Sequence, residues 1–218
     1  MVQISASLLA ADYARLGEEV IRAEKAGVDS FHFDLMDGHY APNIALAPQH
    51  LRALRGYTQH KFIAHLELSN PDEVIEHFEA LDADAIVVMI DTLPNPRRTF
   101  ANIRAQDKQV GLSLKPGETI EAVEQFFPDI DLLIILGVNP GFGGQEMQIN
   151  TLQKIARVRT ILEKESLDVS VVVDGGVKVE NASQLIKAGA DTLIIGSALF
   201  QCQNMRSFVA GIKDAVVG

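Results

Sequence analysis

The stretch DYARLGEEVIRAEKAGVDSFHFD, residues 12–34, joins a helix pattern, a turn and a strand pattern in one short segment. Apolar residues recur at helical spacing over 12–26, and Gly27 follows where a left-handed C-terminal cap belongs. The apolar run SFHFD (30–34) is typical of a buried β-strand. A helix that leads through a glycine turn into a buried strand is the unit from which α/β folds with parallel sheets are built.

The same unit recurs along the whole chain. The segment KAGVD (25–29) is echoed by KAGAD (187–191), and each bridges a predicted helix to the next predicted strand. Strands are predicted at 3–7, 30–34, 62–66, 85–89, 110–114, 132–136, 169–174 and 192–196. Helices are predicted at 12–26, 48–56, 71–81, 96–106, 118–127, 148–164, 180–188 and 204–216. This alternation, without a Pro- or Ser-rich linker, predicts a single-domain α/β fold over residues 1–218, a (β/α)₈ TIM barrel rather than an open doubly wound sheet.

Composition narrows the class of protein. The chain has 19 basic and 29 acidic residues, a net charge of −10 and no basic stripe, which argues against a nucleic-acid partner. Its one cysteine, Cys202, excludes an intrachain disulfide framework and fits a reducing compartment. Asp12 and Arg15 come too early for a signal peptide, and no apolar run approaches the ~20 residues of a membrane helix. We therefore expect a cytoplasmic enzyme without a membrane partner.

Two histidines and two aspartates end predicted strands: His32, Asp34, His65 and Asp174. His32 and Asp34 are two residues apart, so on a strand they share one face. The chemistry of barrel enzymes lies at the C-terminal ends of the strands, so we expect all four side chains to converge. Mixed imidazole and carboxylate ligands suit Zn²⁺, Mn²⁺, Fe²⁺ or Co²⁺, and the set predicts a site for one divalent metal.

Glycine clusters follow three late strands: NPGFGGQ (139–145), Gly175-Gly176, and Gly196-Ser197. In barrels, the loops after the seventh and eighth strands commonly bind phosphate, and glycine lets backbone N–H groups approach it closely. Ser197 adds a hydroxyl donor. An acidic chain can bind an anion in this local way. The sequence thus predicts a phosphorylated small molecule as the ligand.

The chain resembles the ribulose-phosphate 3-epimerase family in four segments that lie in the family's order and span nearly its whole length. They are SASLLAADYARLGEE (5–19), HFDLMDGHYAPN (32–43), VNPGFGGQ (138–145) and VDGGV (173–177). The resemblance implies a metal-dependent enzyme that inverts C3 of a ketose phosphate through an enediolate. It also implies a homo-oligomer, a dimer or a hexamer.

The resemblance also assigns roles to residues. It implies that His32, Asp34, His65 and Asp174 hold the metal, with Zn²⁺ as the first expectation, and that Asp34 and Asp174 are the acid–base pair. It implies substrate contacts from Ser7, His65, Gly141, Phe142, Gly143, Gly144, Gly175, Gly176, Gly196 and Ser197.

Several positions beside the metal set depart from the family pattern. Glu67, Leu136 and Gly137 stand where the family usually has methionine, methionine and serine. The other departures replace a histidine, an asparagine and a proline, and they are Met89, Lys115 and Ala6. The family usually has several methionines beside the metal set, and Met36 is the one that this sequence retains. We expect the departures at Glu67, Met89, Lys115 and Leu136, with Met36, to alter substrate specificity, and we hypothesise a Glu67–Lys115 ion pair that contacts a substrate hydroxyl.

Two other functions stay open at this point. One is a phosphosugar lyase or decarboxylase on a related barrel, although such decarboxylases carry an Asp-x-Lys-x-x-Asp motif and Met36 stands where its lysine would be. The other is a sugar-phosphate-binding protein without catalytic activity. Asp34 and Asp174 argue against it, because binding alone does not require two opposed carboxylates.

Overall fold

The structure, a computed structural model, describes residues 2–77 and 82–214. Eight parallel strands pair in chain order and close into a barrel, which confirms the predicted TIM-barrel fold. The strands are β1 (Gln3–Ser7), β2 (Ser30–Met36), β3 (Lys61–Glu67), β4 (Ala85–Met89), β5 (Gln109–Leu114), β6 (Leu132–Leu136), β7 (Ser170–Asp174) and β8 (Thr192–Ile195). Strands β2 and β3 extend beyond their predicted ends by two residues and one residue, to Met36 and Glu67 respectively.

The helices surround this barrel. They are α1 (Leu16–Ala26), α2 (Pro48–Leu54), α3 (Pro71–His77), α4 (Pro96–Arg104), α5 (Thr151–Glu165), α6 (Val179–Lys187), α7 (Ser197–Phe200) and α8 (Met205–Asp214). Gly27 ends α1 with a φ of 99°, as its predicted cap role requires. The parts of the predicted helices at 78–81 and 215–216 lie outside the described residues. Within the described ranges, no helix has both the length and the apolar character needed to cross a membrane.

The helix predicted at 118–127 is wrong. The connection from β5 to β6 instead contains two 3₁₀ segments, Ile120–Ala122 and Glu124–Asp129. Pro128 lies inside the second segment; it disfavours the α conformation at Phe127, the last residue of the predicted helix, and has no N–H to donate to the preceding turn. Phe126 and Phe127 belong to this segment and are buried. Their side chains provide the apolar packing that an α-helix would otherwise provide.

Strand alternation separates two sets of apolar side chains. One set faces outward against the helices and forms the large core cluster. The other fills the barrel and is made of Ile63, Ala85, Val87, Met89, Leu132, Ile134, Leu136, Val172 and Ile194. The register then fixes where polar residues meet, because Asp34 on β2 lies beside His65 on β3. The inside of the barrel is therefore a packed core, with polar groups at its C-terminal end.

At the N-terminal end of the barrel, the same set of hydrogen bonds and ion pairs occurs four times. The aspartates that precede the even-numbered strands, Asp29, Asp84, Asp131 and Asp191, each accept a hydrogen bond from a backbone N–H of the preceding strand. Each also pairs with a basic side chain, and these are Lys213, Arg55, Arg104 and Arg159 respectively. Two of these aspartates end the echoed KAGVD and KAGAD segments. The echo therefore reflects a two-strand unit that links neighbouring strands at the N-terminal end of the barrel.

Candidate active site

The four residues of the predicted metal set meet at the C-terminal end of the barrel. His32 and Asp34 come from β2, His65 from β3 and Asp174 from the last position of β7. One ligand atom from each lies within 4.8 Å of those from the other three. His32, Asp34 and His65 are buried, and Asp174 is half-buried. Parallel strand ends thus bring together residues that are far apart in sequence.

Asp34 is the centre of this group. Its Oδ1 lies 3.0 Å from His32 Nε2 and 3.4 Å from His65 Nδ1. Its Oδ2 accepts a hydrogen bond of 2.9 Å from the Ser7 hydroxyl. The second aspartate is further out, with Asp174 Oδ2 at 3.6 Å from His32 Nε2. Ser7 therefore holds the Asp34 carboxylate from β1, while Asp174 makes a longer contact to His32.

The pKa values of the two aspartates are shifted in opposite directions. Burial alone would raise the pKa of Asp34, but the charge and hydrogen bond of His32, together with His65, hold that pKa well below the usual carboxyl range. Burial and the charge of Asp34 raise the pKa of Asp174 to about 7. Burial opposes protonation of His32, yet the two carboxylates raise its pKa above the usual value. Asp34 is thus ionised at neutral pH, whereas Asp174 can bind or release a proton near neutral pH.

The composition of the group fits a divalent cation. Within residues 2–77 and 82–214, neither Asp34 nor Asp174 pairs with a lysine or arginine, and the groups recorded beside the two carboxylates are imidazoles. His65 Nδ1 is buried without a hydrogen-bond partner among those residues. Two imidazoles and two carboxylates at this spacing suit Zn²⁺, Mn²⁺, Fe²⁺ or Co²⁺. A cation here would remove both the uncompensated charge and the unpaired nitrogen.

A cavity of about 520 Å³ opens above this group. Nearly all of the predicted substrate contacts line it, and they are Ser7, Gly141, Phe142, Gly143, Gly144, Gly175, Gly176, Gly196 and Ser197. His65 is the exception, because it is fully buried beneath the cavity wall. Asp34 and Asp174 are exposed to the same cavity. The cavity is large enough for a small phosphorylated sugar.

The glycines of the late loops permit close backbone packing around the cavity. A Cβ on Gly143 would lie 2.9 Å from Ser197 Oγ, so the loop after β6 rests against the start of α7. Gly176 has a φ of +73°, and a Cβ there would lie 2.7 Å from the backbone nitrogen of Met147. Only glycine meets both demands at Gly176. This crowding of backbone beside the Ser197 hydroxyl is typical of anion sites.

The five positions predicted to set specificity divide into two groups. Met36, Glu67 and Leu136 line the cavity. Met89 and Lys115 do not, although Met89 Sδ lies 3.2 Å from His65 Nε2 and so contacts the group of two aspartates and two histidines.

The hypothesised Glu67–Lys115 ion pair does not form. Lys115 Nζ instead pairs with Asp91, which follows β4 and also accepts a hydrogen bond of 2.9 Å from the Tyr40 hydroxyl. Glu67 is buried, with 3% of its surface exposed, and its Oε1 lies 3.7 Å from His65 Nδ1. Burial, followed by the charges of Asp34 and Asp174, raises the pKa of Glu67 well above its usual value. Lys115 has an acidic partner on a neighbouring turn, so it has no need to reach into the barrel.

Sequence reasoning missed the residues that join the loops around the site. Asp37 accepts hydrogen bonds from the backbone N–H groups of His39 and Tyr40, and from the backbone N–H and hydroxyl of Ser69. The Asn43 amide donates to the Gly141 carbonyl at 2.8 Å, which connects the loop after β2 to the glycine loop. Both residues lie in the segment 32–43 that carries the family resemblance, and this was the available signal.

We expect Asp37→Asn to lower the free energy of unfolding by about 1–3 kcal/mol, because an amide cannot accept all of these hydrogen bonds. Partial burial would raise the pKa of Asp37, but its donors hold that pKa well below the usual range. The carboxylate's contribution is therefore complete above about pH 4 and is lost as the pH falls towards the lowered pKa. Urea unfolding between pH 2.5 and 7 should give a shallower acid-side loss for the variant; equal slopes would contradict this account.

Comparison with known proteins gives a consistent set of relatives. The sequence model of the ribulose-phosphate 3 epimerase family matches residues 3–200. A ribulose-phosphate 3-epimerase of Bacillus subtilis is 37% identical over 216 residues, which cover 99% of this chain and 100% of that protein. The Synechocystis enzyme of the same name is 36% identical, with 98% and 94% covered. The enzyme of that name from Escherichia coli K12 is 37% identical over 212 residues, with 97% and 94% covered.

Solved structures give the same architecture at lower identity. KGPDC from Streptococcus mutans has a TM-score of 0.72 at 14% identity, with 100% of this chain and 98% of that chain covered. Phosphoribosyl anthranilate isomerase from Thermus thermophilus has a TM-score of 0.71 at 14% identity, with 98% and 99% covered. At such identity the likeness is one of barrel fold alone.

Proposed function

Because the chain belongs to the ribulose-phosphate 3-epimerase family of carbohydrate isomerases, we propose that it is a metal-dependent epimerase that inverts C3 of a ketose phosphate. The substrate pair would be D-ribulose 5-phosphate and D-xylulose 5-phosphate or a close relative. The observation that carries the proposal is the convergence of Asp34 and Asp174 with two histidines at the base of one cavity.

The two aspartates supply the proton transfers in this proposal. A divalent ion held by His32, Asp34, His65 and Asp174 would polarise the substrate carbonyl and stabilise the enediolate. Asp34, whose pKa lies well below the usual range, is the ionised carboxylate that accepts the C3 proton from one face. Asp174, with its pKa raised to about 7, delivers a proton to the other face. The roles exchange in the reverse direction. The two groups titrate as a pair because the charge of one changes the proton affinity of the other.

The late loops would hold the phosphate. Backbone groups of Gly143, Gly144 and Gly176, with the Ser197 hydroxyl, surround the side of the cavity formed after β6, β7 and β8. Backbone donors suit a chain whose net charge is −10, since they attract an anion without requiring a basic patch. Anchoring the phosphate there would place the sugar carbons over the two aspartates.

Exchange of solvent deuterium at C3 tests the proposed function. Protein purified without chelator would be incubated in D₂O with ribulose 5-phosphate and, separately, with other ketose phosphates. An epimerase incorporates deuterium at C3 and yields the inverted sugar, whereas a lyase cleaves the sugar and a binding protein leaves it unchanged. Cleavage, or no reaction with any ketose phosphate, would contradict the proposal.

The metal and the assembly state complete the proposal. We expect one divalent ion per subunit, Zn²⁺ first, and a cytoplasmic dimer or hexamer. Elemental analysis and light scattering of the same preparation measure both quantities. A metal content near zero, together with full activity in the presence of chelator, would contradict the metal assignment.

A further inference from the structure

Glu67 is a buried carboxyl that the proposed reaction does not use. It lies at the end of β3, 3% exposed, and lines the cavity. Among residues 2–77 and 82–214, the contact recorded for its Oε1 is a long one of 3.7 Å to His65 Nδ1. Its Oε2 is buried without a hydrogen-bond partner among the described residues. A carboxyl left unpaired in this way is costly, so its presence points to a partner that arrives with the ligand.

None of the described residues supplies this partner. Lys115, the nearest candidate from the sequence, pairs with Asp91. Glu67 also stands outside the group of four whose ligand atoms lie within 4.8 Å of one another. Its register partner on β2 is Met36, which has no hydrogen to donate to a carboxyl. Glu67 is therefore a hydrogen-bonding group set into an apolar part of the cavity wall.

The barrel topology decides which part of the substrate reaches Glu67. In a closed ring of eight strands, β3 lies opposite β7. The glycine loops and Ser197 follow β6, β7 and β8, so the phosphate side of the cavity faces Glu67 across the aspartate–histidine group. A ketose phosphate anchored by its phosphate, with C2 and C3 over that group, directs C1 towards β3. The group that C1 carries in a ketose sugar is a hydroxyl.

We propose that Glu67 forms a hydrogen bond with the C1 hydroxyl of the ketose phosphate and selects hydroxymethyl ketones against methyl ketones. The inference rests on the proposed function for the orientation of the substrate. Glu67 takes no part in the proton transfers at C3. A ligand without this hydroxyl binds more weakly, because the carboxyl then stays buried without a hydrogen-bond partner. A methionine at this position accepts either ligand.

The test is a cycle that removes the carboxyl from the protein and the hydroxyl from the ligand. The ligands are xylulose 5-phosphate and 1-deoxyxylulose 5-phosphate, with dissociation constants from calorimetry and kcat/KM from C3 deuterium exchange. We expect the unmodified protein to prefer the hydroxylated ligand by about 30- to 100-fold. Glu67→Met should reduce this preference to about threefold or less, and Glu67→Gln should keep most of it, since an amide still bonds to a hydroxyl.

Controls separate recognition from structural damage and from metal loss. Glu165→Met changes an exposed glutamate at the end of α5 and should keep the full preference. Metal content and thermal unfolding of Glu67→Met should match those of the unmodified protein, because the variant removes an unpaired carboxyl rather than a needed contact. Loss of the metal in Glu67→Met would overturn the inference by assigning Glu67 to the metal site.

The remaining outcomes distinguish this inference from the proposed function. Epimerisation with equal preference for the two ligands in the unmodified protein overturns the role of Glu67 and leaves the epimerase assignment standing. A Glu67-dependent preference in binding, without exchange at C3, supports the role and overturns the epimerase assignment. Absence of binding to either ligand overturns both.

Discussion

Asp174→Asn is expected to lower the rate of C3 inversion by about 10³- to 10⁴-fold, because the substrate face above β7 loses its proton donor. An asparagine keeps the size of the side chain and an oxygen towards His32, but it cannot carry the proton. Asp34 remains in place, held by the Ser7 hydroxyl at 2.9 Å and by His32. The variant should therefore still remove a proton from the face that Asp34 serves.

Exchange of the C3 hydrogen with solvent distinguishes the two aspartates, which a loss of turnover does not. With Asp174→Asn, one epimer should exchange its C3 hydrogen with solvent and keep its configuration, while the other stays inert. Asp34→Asn should give the reverse, with exchange limited to the opposite epimer. Such a reciprocal pair of results arises only if the two carboxylates act on opposite faces of C3.

The measurement needs controls for the metal and for folding. Metal content must be determined for each variant, since both aspartates belong to the proposed ligand set. Asp168→Asn is the matched control, because Asp168 is exposed at the other end of the barrel, just before β7. Inversion by Asp174→Asn at the rate of the unmodified protein, with the metal retained, would exclude Asp174 as an acid–base group.

The positions of the catalytic candidates could be predicted because they depend only on strand ends. Residues that end parallel strands of one barrel meet at one rim, so sequence spacing alone places His32, Asp34, His65 and Asp174 together. The glycine loops are predictable for the same reason. Neither inference needs any knowledge of side-chain reach.

The errors arose where a side chain had a choice of partners or the backbone lacked a donor. The alternation of side chains along a strand correctly predicts that Glu67 faces the inside of the barrel. It does not predict that Lys115 pairs with Asp91 rather than with Glu67. Periodicity over 118–127 resembled a helix, yet Pro128 and the two buried phenylalanines favour a 3₁₀ path. Both failures come from competition between local alternatives, which a one-dimensional pattern does not rank.

The largest effect on stability is expected at the other end of the barrel, at Asp84. Its Oδ2 accepts hydrogen bonds of 2.8 Å from the backbone N–H of Phe62 and from Arg55. Phe62 is fully buried, so Asp84→Ala leaves its N–H without an acceptor beneath the barrel. The Arg55 guanidinium, 3.8 Å from the centre of the Phe62 ring, loses its carboxylate at the same time.

We expect Asp84→Ala to lower the free energy of unfolding by about 2–4 kcal/mol, and thus the melting temperature by roughly 5–15 °C. Asp84→Asn should lose less, because its amide oxygen can still accept from Phe62. Turnover of folded protein should not change, since the site lies at the opposite rim. Calorimetry and C3 exchange measure the two effects separately, with Asp168→Ala as the exposed control.

The fourfold arrangement adds a quantitative expectation. Asp191 performs the same task on β8, accepting from the Val171 N–H at 2.8 Å and pairing with Arg159. Strands β4 and β8 lie opposite each other in the ring and share none of these partners, so the losses from Asp84→Ala and Asp191→Ala should add to within about 0.5 kcal/mol. A double variant no less stable than either single variant would mean that the four aspartates do not act as independent ties. In that case the repeat would be a feature of sequence without a separate role in holding the barrel closed.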